Sequence, residues 1–71
     1  MQVYAIRNAK DLRYWARNRW ATPRSVPDLY KSVETAKYQM TEGKVGWYAQ
    51  QHPESYKPEL VLLELNVRHA I

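Results

Sequence analysis

The absence of cysteine is the feature that most limits what this chain can fold into. Its 71 residues include no cysteine, so neither disulfides nor thiolate-held metals can compensate for a small core. The hydrophobic fraction of 45% and the charged fraction of 25% are ordinary for a globular domain. The sequence therefore predicts one domain over residues 1–71, stabilised by burial alone or with the help of a partner.

The first residues of the chain favour short strands. A β-prone run at residues 3–6 is followed by turn-forming residues at 8–11. Residues 12–17 then predict a second strand because polar and apolar side chains alternate along it. In that strand, one face would carry Arg13, Trp15 and Arg17.

A tight turn is expected next. Asn18 tolerates a left-handed backbone, so residues 20–22 could return as a third strand and complete a β-meander. This arrangement would bring Trp15 and Trp20 close together. Residues 28–31 are a candidate for one further edge strand.

The clearest prediction is a helix that begins after Ser32. Ser32 is a good N-cap, Glu34 lies in the first turn, and Gly43 suits the C′ position beyond the last turn. A narrow apolar stripe is formed by Val33, Ala36 and Met40.

The segment after this helix is ambiguous. Residues 44–49 alternate enough for a strand, but they could also extend the helix, because Trp47 continues its stripe. Two glycines within four positions favour a break. We expect Trp47, Tyr48 and Tyr56 to cap the core; the alternative is that they are exposed and extend a contact surface. Residues 50–58 are expected to form a polar loop.

A strongly apolar strand is predicted at residues 59–67. Its alternate residues form one apolar face, made of Val61, Leu63, Leu65 and Val67. Such a strand is expected to be central or covered rather than a bare edge. The predicted fold is thus α+β: a small antiparallel sheet of three to five strands, starting with a β-meander, with one helix packed on one face.

The sequence contains no recognisable catalytic constellation. Its two histidines, His52 and His69, have no partners at metal-ligand or triad spacing, and its carboxylates are scattered. Two glycines cannot supply a phosphate-binding glycine loop. We therefore expect a protein that is not an enzyme and that uses neither a metal nor another cofactor.

Positive charge is concentrated at the start of the chain. Residues 1–24 contain six Lys or Arg against one Asp, whereas residues 25–71 contain five against six acids. Arginines there alternate with tryptophans, a combination that suits phosphates with exposed bases or an acidic protein groove. The candidate binding residues are Arg7, Arg13, Trp15, Arg17, Arg19, Trp20 and Arg24. The alternative is that both tryptophans close the core while arginines surround them.

Several segments together resemble small accessory proteins encoded by phages and prophages. These segments are Tyr4-Ala5-Ile6-Arg7-Asn8, Arg13-Tyr14-Trp15, Trp20, Asp28-Leu29-Tyr30-Lys31-Ser32, Ala36-Lys37 and the closing apolar strand. The resemblance implies a phage accessory role, but neither a reaction nor a set of functional residues.

Two functions follow as hypotheses. The first is a non-enzymatic module that binds nucleic acid or a nucleoprotein through the basic aromatic hairpin. The alternative is an inhibitor of a host defence protein, of the anti-restriction or anti-CRISPR kind, since Tyr, Trp and Arg are also interface hot spots. A homodimer that buries some of the nine Tyr and Trp rings is a third option.

No apolar run is long enough for a signal peptide or a membrane span, so a host-cell cytoplasmic location is expected.

Overall fold

The computed structural model describes residues 2–21 and 26–64. These residues form an α+β fold, which confirms the predicted class. Its strands and helices are, in chain order, β1 (Gln2–Asn8), β2 (Trp15–Ala16), β3 (Arg19–Trp20), α1 (Val33–Thr41), α2 (Lys44–Gln51) and β4 (Pro58–Glu64).

Strand β1 is the centre of the fold. It pairs along its whole length with β4 in an antiparallel register from Gln2–Glu64 to Asn8–Pro58. On its other side, the backbone of Tyr4 exchanges two 2.8 Å hydrogen bonds with Tyr30. The predicted strand at residues 28–31 is therefore reduced to a single bridge at Tyr30.

The hairpin between β2 and β3 is shorter than predicted. Arg17 and Asn18 have φ angles of 51° and 64°, the pattern of a type I′ turn, so the left-handed turn predicted at Asn18 is confirmed. Trp15 pairs with Trp20 across it, as expected. Leu12 also has a positive φ of 62°. Positive φ at Leu12 and Arg17 interrupts the extended backbone, so the expectation of one strand over residues 12–17 is wrong.

Helix α1 forms as predicted. The Ser32 side chain accepts a 3.2 Å hydrogen bond from the backbone N–H of Thr35, which satisfies a donor at the helix start. Ala36 on the apolar stripe is fully buried. The helix ends at Thr41, and the N–H of Gly43 still bonds the carbonyl of Tyr38.

A second helix, α2, follows where a strand or a continuation of α1 was considered. The predicted break at Gly43 is present, but the backbone becomes helical again at Lys44. Gly46 is buried where α2 approaches the end of α1, and a Cβ there would lie 2.8 Å from the Met40 carbonyl oxygen. Glycine thus permits this close approach rather than ending the helix. The polar loop begins only after Gln51.

Strand β4 is an edge strand among the described residues, because β1 is its only partner there. Among the described residues β4 is therefore not central, although both helices contact it. Within β4, Leu60, Val61 and Leu63 are half-buried and none of its residues is fully buried. The predicted continuation through residues 65–67 lies outside the described residues.

The core lies between β1, the hairpin and the helices. Its fully buried large side chains are Ile6, Trp15 and Val45, and four half-buried residues pack against them: Trp20, Tyr30, Met40 and Tyr48. Three aromatic rings in this second group show that the core is closed by amphipathic side chains, as the lack of Phe suggests.

Asn8 is a fully buried polar residue whose side chain forms hydrogen bonds both to the turn after β1 and to the loop before β4. Its Oδ1 accepts hydrogen bonds from the N–H groups of Lys57, at 2.8 Å, and Lys10, at 3.3 Å. Its Nδ2 donates a 3.0 Å hydrogen bond to the Ser55 carbonyl. The side chain therefore fixes the turn after β1 against the loop before β4.

The strained backbone at Leu12 provides a test of the turn. Leu12 is 57% exposed and adopts a left-handed conformation that costs a branched side chain about 1 kcal/mol or more. Leu12→Asn should raise the free energy of unfolding by about 1 kcal/mol, because Asn tolerates this region. Urea unfolding followed by circular dichroism measures the change. Leu29→Asn, at an exposed position without positive φ, is the control, and an equal gain there would contradict the explanation.

Candidate functional site

The tip of the β2–β3 hairpin is an exposed basic part of the predicted site. Arg17, Asn18 and Arg19 are all exposed. The segment at 26–29 supports this tip: the Arg17 N–H donates to Asp28 Oδ2 at 3.2 Å, and the Asp28 N–H donates to the Trp15 carbonyl at 3.0 Å. The two arginines are thus carried on a turn that is anchored at its base.

A small cleft opens beside this tip. It has a volume of about 230 Å³ and is lined by Ala16, Arg17, Arg19, Ala21 and Val26. Two arginines line it together with the apolar residues Ala16, Ala21 and Val26. Arginine side chains can form paired hydrogen bonds with the oxygens of anions such as phosphate.

Ion pairing divides the predicted arginines into two groups. Arg7 donates a hydrogen bond through Nε to Glu59, which raises the pKa of Arg7 above its ordinary value. The Nε atom of Arg13 lies 3.7 Å from Oδ2 of Asp11. Within residues 2–21 and 26–64, neither Arg17 nor Arg19 forms an ion pair. Of the predicted arginines that the structure describes, the two at the hairpin tip are therefore the ones without an ion pair. Arg24 lies outside the described residues.

Trp15 is not available for stacking on a ligand. It is fully buried, at 0% exposure, with its ring 5.3 Å from Trp20 and 5.8 Å from Tyr48 in edge-to-face contacts. Trp15 turns into the core instead of sharing a face with Arg13 and Arg17, the placement that alternation along residues 12–17 predicts. The alternative weighed from the sequence, a tryptophan that closes the core, describes Trp15 correctly.

Trp20 is half-buried and belongs to the same aromatic cluster. Its ring lies parallel to Tyr56, with an angle of 8° and a centroid distance of 5.8 Å. The indole nitrogens of Trp15 and Trp20 are buried and have no hydrogen-bond acceptor among the described residues. One face of the Trp20 ring is thus already occupied by a protein ring, which limits its use as a stacking platform.

Trp47 shows the opposite behaviour. It was expected to cap the core, but it is 55% exposed, whereas Tyr48 and Tyr56 beside it are half-buried. Trp47 and Tyr48 line an open cleft of about 580 Å³ together with Glu42, Gly43 and Lys44. The helical stripe suggested burial of Trp47, but α2 starts anew at Lys44 and turns this side chain outward. The exposure of Trp47 fits the alternative that this aromatic set contributes to a contact surface.

The remaining chemical groups are dispersed. His52 lies 3.7 Å from Glu54 on the surface, and His69 lies outside the described residues. In the part of the chain that the structure describes, no three His, Asp or Glu side chains are grouped as metal ligands, and no helix there has the length and apolarity to cross a bilayer. Burial of the Tyr30 ring, assisted by the charge of Asp28, raises the pKa of the Tyr30 phenol, so this group is neutral at physiological pH.

Comparison with known proteins gives no family assignment: no family model, curated protein or solved structure matches the chain significantly.

Proposed function

We propose that this protein is a non-enzymatic binding module that engages nucleic acid, alone or within a nucleoprotein, through the tip of the β2–β3 hairpin. The observation that carries the proposal is the cleft between Arg17 and Arg19, where two exposed guanidinium groups have no carboxylate partner among the described residues. Phosphate is the anion that nucleic acid presents at regular spacing.

The geometry favours contacts to the nucleic-acid backbone rather than to bases. Because Trp15 is buried and Trp20 is stacked on Tyr56, few aromatic faces remain beside the arginines. Phosphate contacts position a protein without reading sequence. We therefore propose binding with little base preference and a strong dependence on salt. Arg13 and Arg24 are kept in the proposed interface as supporting charges, and Arg7, already paired with Glu59, contributes least.

The proposal extends to biological setting. A binding module of this size fits a phage accessory protein acting in the cytoplasm of a host cell, as the resemblance of its sequence segments implies. No cofactor is required for this role.

Inhibition of a host defence protein is the second candidate function. The observation that favours it is the exposed Trp47 beside a cleft of about 580 Å³. Exposed tryptophans with nearby charges are typical anchors of protein–protein interfaces. In that case the partner would contact α2 rather than the hairpin tip.

Charge reversal at the hairpin tip tests the first proposal. We expect Arg17→Glu/Arg19→Glu to weaken binding to labelled single-stranded and duplex DNA and RNA at least about tenfold. The plot of log affinity against log salt should become less steep by about 0.7–0.9 for each phosphate that the variant no longer neutralises. Fluorescence anisotropy across a salt series measures both quantities.

A matched control is available on and near α1. Lys31→Glu/Lys37→Glu makes the same charge change at two exposed positions away from the hairpin, and it should retain most of the affinity. Equal losses in both double variants, or wild-type binding that salt does not weaken, would refute the tip as the site.

Capture from nuclease-treated host lysate separates the two functions. A stoichiometric protein that is retained by wild type and lost with Trp47→Ala supports the inhibitor. Loss of all partners after nuclease treatment, together with salt-sensitive binding of purified DNA or RNA, supports the nucleic-acid module.

A further inference from the structure

One side of β4 has no neighbouring strand among the described residues. The backbone groups that point to this side follow from the register between β1 and β4. Tyr4 directs its N–H and carbonyl to Tyr30, away from β4. Backbone groups alternate in direction along a strand, so Val3, Ala5 and Arg7 direct theirs toward β4. Their register partners are Leu63, Val61 and Glu59.

The intervening residues of β4 therefore point the other way. Leu60 and Leu62 direct their N–H and carbonyl groups to the side that no other described strand occupies. Their side chains are only partly covered, and Leu62 is 54% exposed. Backbone groups that have no partner among residues 2–21 and 26–64, on a run of leucines, are a template for another strand.

Devices that commonly protect a sheet edge are missing from the middle of β4. The run at 60–63 contains no lysine, no proline and no other charged residue. The register with β1 is continuous, without a bulge that would bend the edge away. Pro58 lies at the first position of the strand, where it leaves the central leucines unprotected.

We propose that this edge pairs with β4 of a second copy of the chain, antiparallel and centred on Val61. In this register each Leu60 faces Leu62 of the second copy, and these pairs exchange their outward backbone hydrogen bonds. The result is one continuous sheet in the order β1-β4-β4-β1.

Charge placement is what favours a second copy as the occupant. With the centre at Val61, Glu59 lies opposite Leu63 of the other copy, and Glu64 lies opposite its Pro58. No carboxylate faces a carboxylate across the pair, so the strand is compatible with itself. The dimer surface is aliphatic, unlike the ring-mediated homodimer considered from the sequence, and it goes beyond the proposed binding function.

The absence of cysteine makes a direct test simple. Val61 would meet itself on the two-fold axis as a pair without backbone hydrogen bonds, at a Cα separation of about 4.5 Å, within the range of about 4.4–6.8 Å that disulfides span. We expect Val61→Cys to form a disulfide-linked dimer rapidly on mild oxidation. Ser55→Cys, at an exposed position outside the strand, should remain largely monomeric under the same conditions.

A proline substitution tests the edge without depending on cross-linking. Leu62→Pro removes an N–H that points outward, so the ladder between β1 and β4 is retained. Sedimentation velocity over a concentration series should show a wild-type dimer and a monomeric Leu62→Pro variant with an unchanged circular dichroism spectrum. If the proline variant unfolds, Leu62→Lys, which adds an edge charge at this exposed position, replaces it.

Three results would overturn the proposal. The first is cross-linking of Val61→Cys no faster than that of Ser55→Cys. The second is a wild type that stays monomeric at every concentration, and the third is a dimer that persists in folded Leu62 variants. Because the hairpin tip is not altered in these variants, failure of the dimer leaves the nucleic-acid proposal to its own test.

Discussion

Trp15→Ala is expected to leave the protein largely unfolded at 25 °C. Trp15 is completely buried in contact with Ile6, Val45 and two further rings. Truncating such a side chain costs about 3–5 kcal/mol, while the core of a domain this small supplies about 3–5 kcal/mol in total. The expected loss is therefore comparable to the whole stability, and little folded protein should remain.

The measurement is the far-ultraviolet circular dichroism spectrum together with a urea titration. Trp47→Ala is the matched control, because it removes the same side chain from a position that is mostly exposed. Its unfolding free energy should differ from that of wild type by less than about 1 kcal/mol. A cooperative transition for Trp15→Ala close to that of wild type would show that the indole is not essential to the core.

Asn8→Ala is expected to have the second largest effect. The substitution removes three hydrogen bonds of a fully buried side chain, to the N–H groups of Lys57 and Lys10 and to the Ser55 carbonyl. A hydrogen bond contributes about 0.5–1.5 kcal/mol net, so we expect a loss of about 2–3 kcal/mol in the free energy of unfolding.

Chemical denaturation of Asn8→Ala beside Gln50→Ala isolates this contribution. Gln50 carries the same amide function on the exposed side of α2, and its truncation should change the midpoint little. Hydrogen exchange at the Lys57 amide gives an independent readout, since protection there should fall in Asn8→Ala. Unchanged protection would mean that Asn8 does not hold this loop.

Local signals in the sequence were sufficient for part of the fold. The strand at β1, the left-handed Asn18 and the cap at Ser32 each depend on residues close in the chain. These features follow from backbone preferences and capping chemistry, which neighbouring residues determine. The α+β class followed from them.

Other features depended on contacts that no local pattern encodes. Two nearby glycines ordinarily argue against a helix. Gly46 nevertheless lies inside α2, where the end of α1 approaches so closely that a side chain would not fit. Leu12 adopts a left-handed conformation without a residue type that favours it. The exposure of Leu62 was hidden by the apolar character of its strand.

The candidate site could be predicted from the sequence only in part. The concentration of positive charge near the hairpin was visible in the sequence, but the pairing of Arg7 with Glu59 joins residues 52 positions apart. Likewise, alternation placed Trp15 beside the arginines, whereas the turn geometry at Arg17 directs it into the core. Composition indicates the region, whereas only tertiary structure shows that Arg17 and Arg19 lack ion pairs among the described residues.

The pairing of β1 with β4 has a consequence for how the chain reaches its native state. The ladder joins the first described strand to the last, so β1 has no ladder partner until almost all of the intervening chain has been synthesised. Contacts of such sequence separation slow folding, because a long loop must close before they stabilise anything. On the ribosome, β1 must therefore wait for β4, and the hairpin and the two helices are the units that can form earlier. Until β4 has been synthesised, β1 is exposed without its ladder partner. The domain is most prone to incorrect association during that interval.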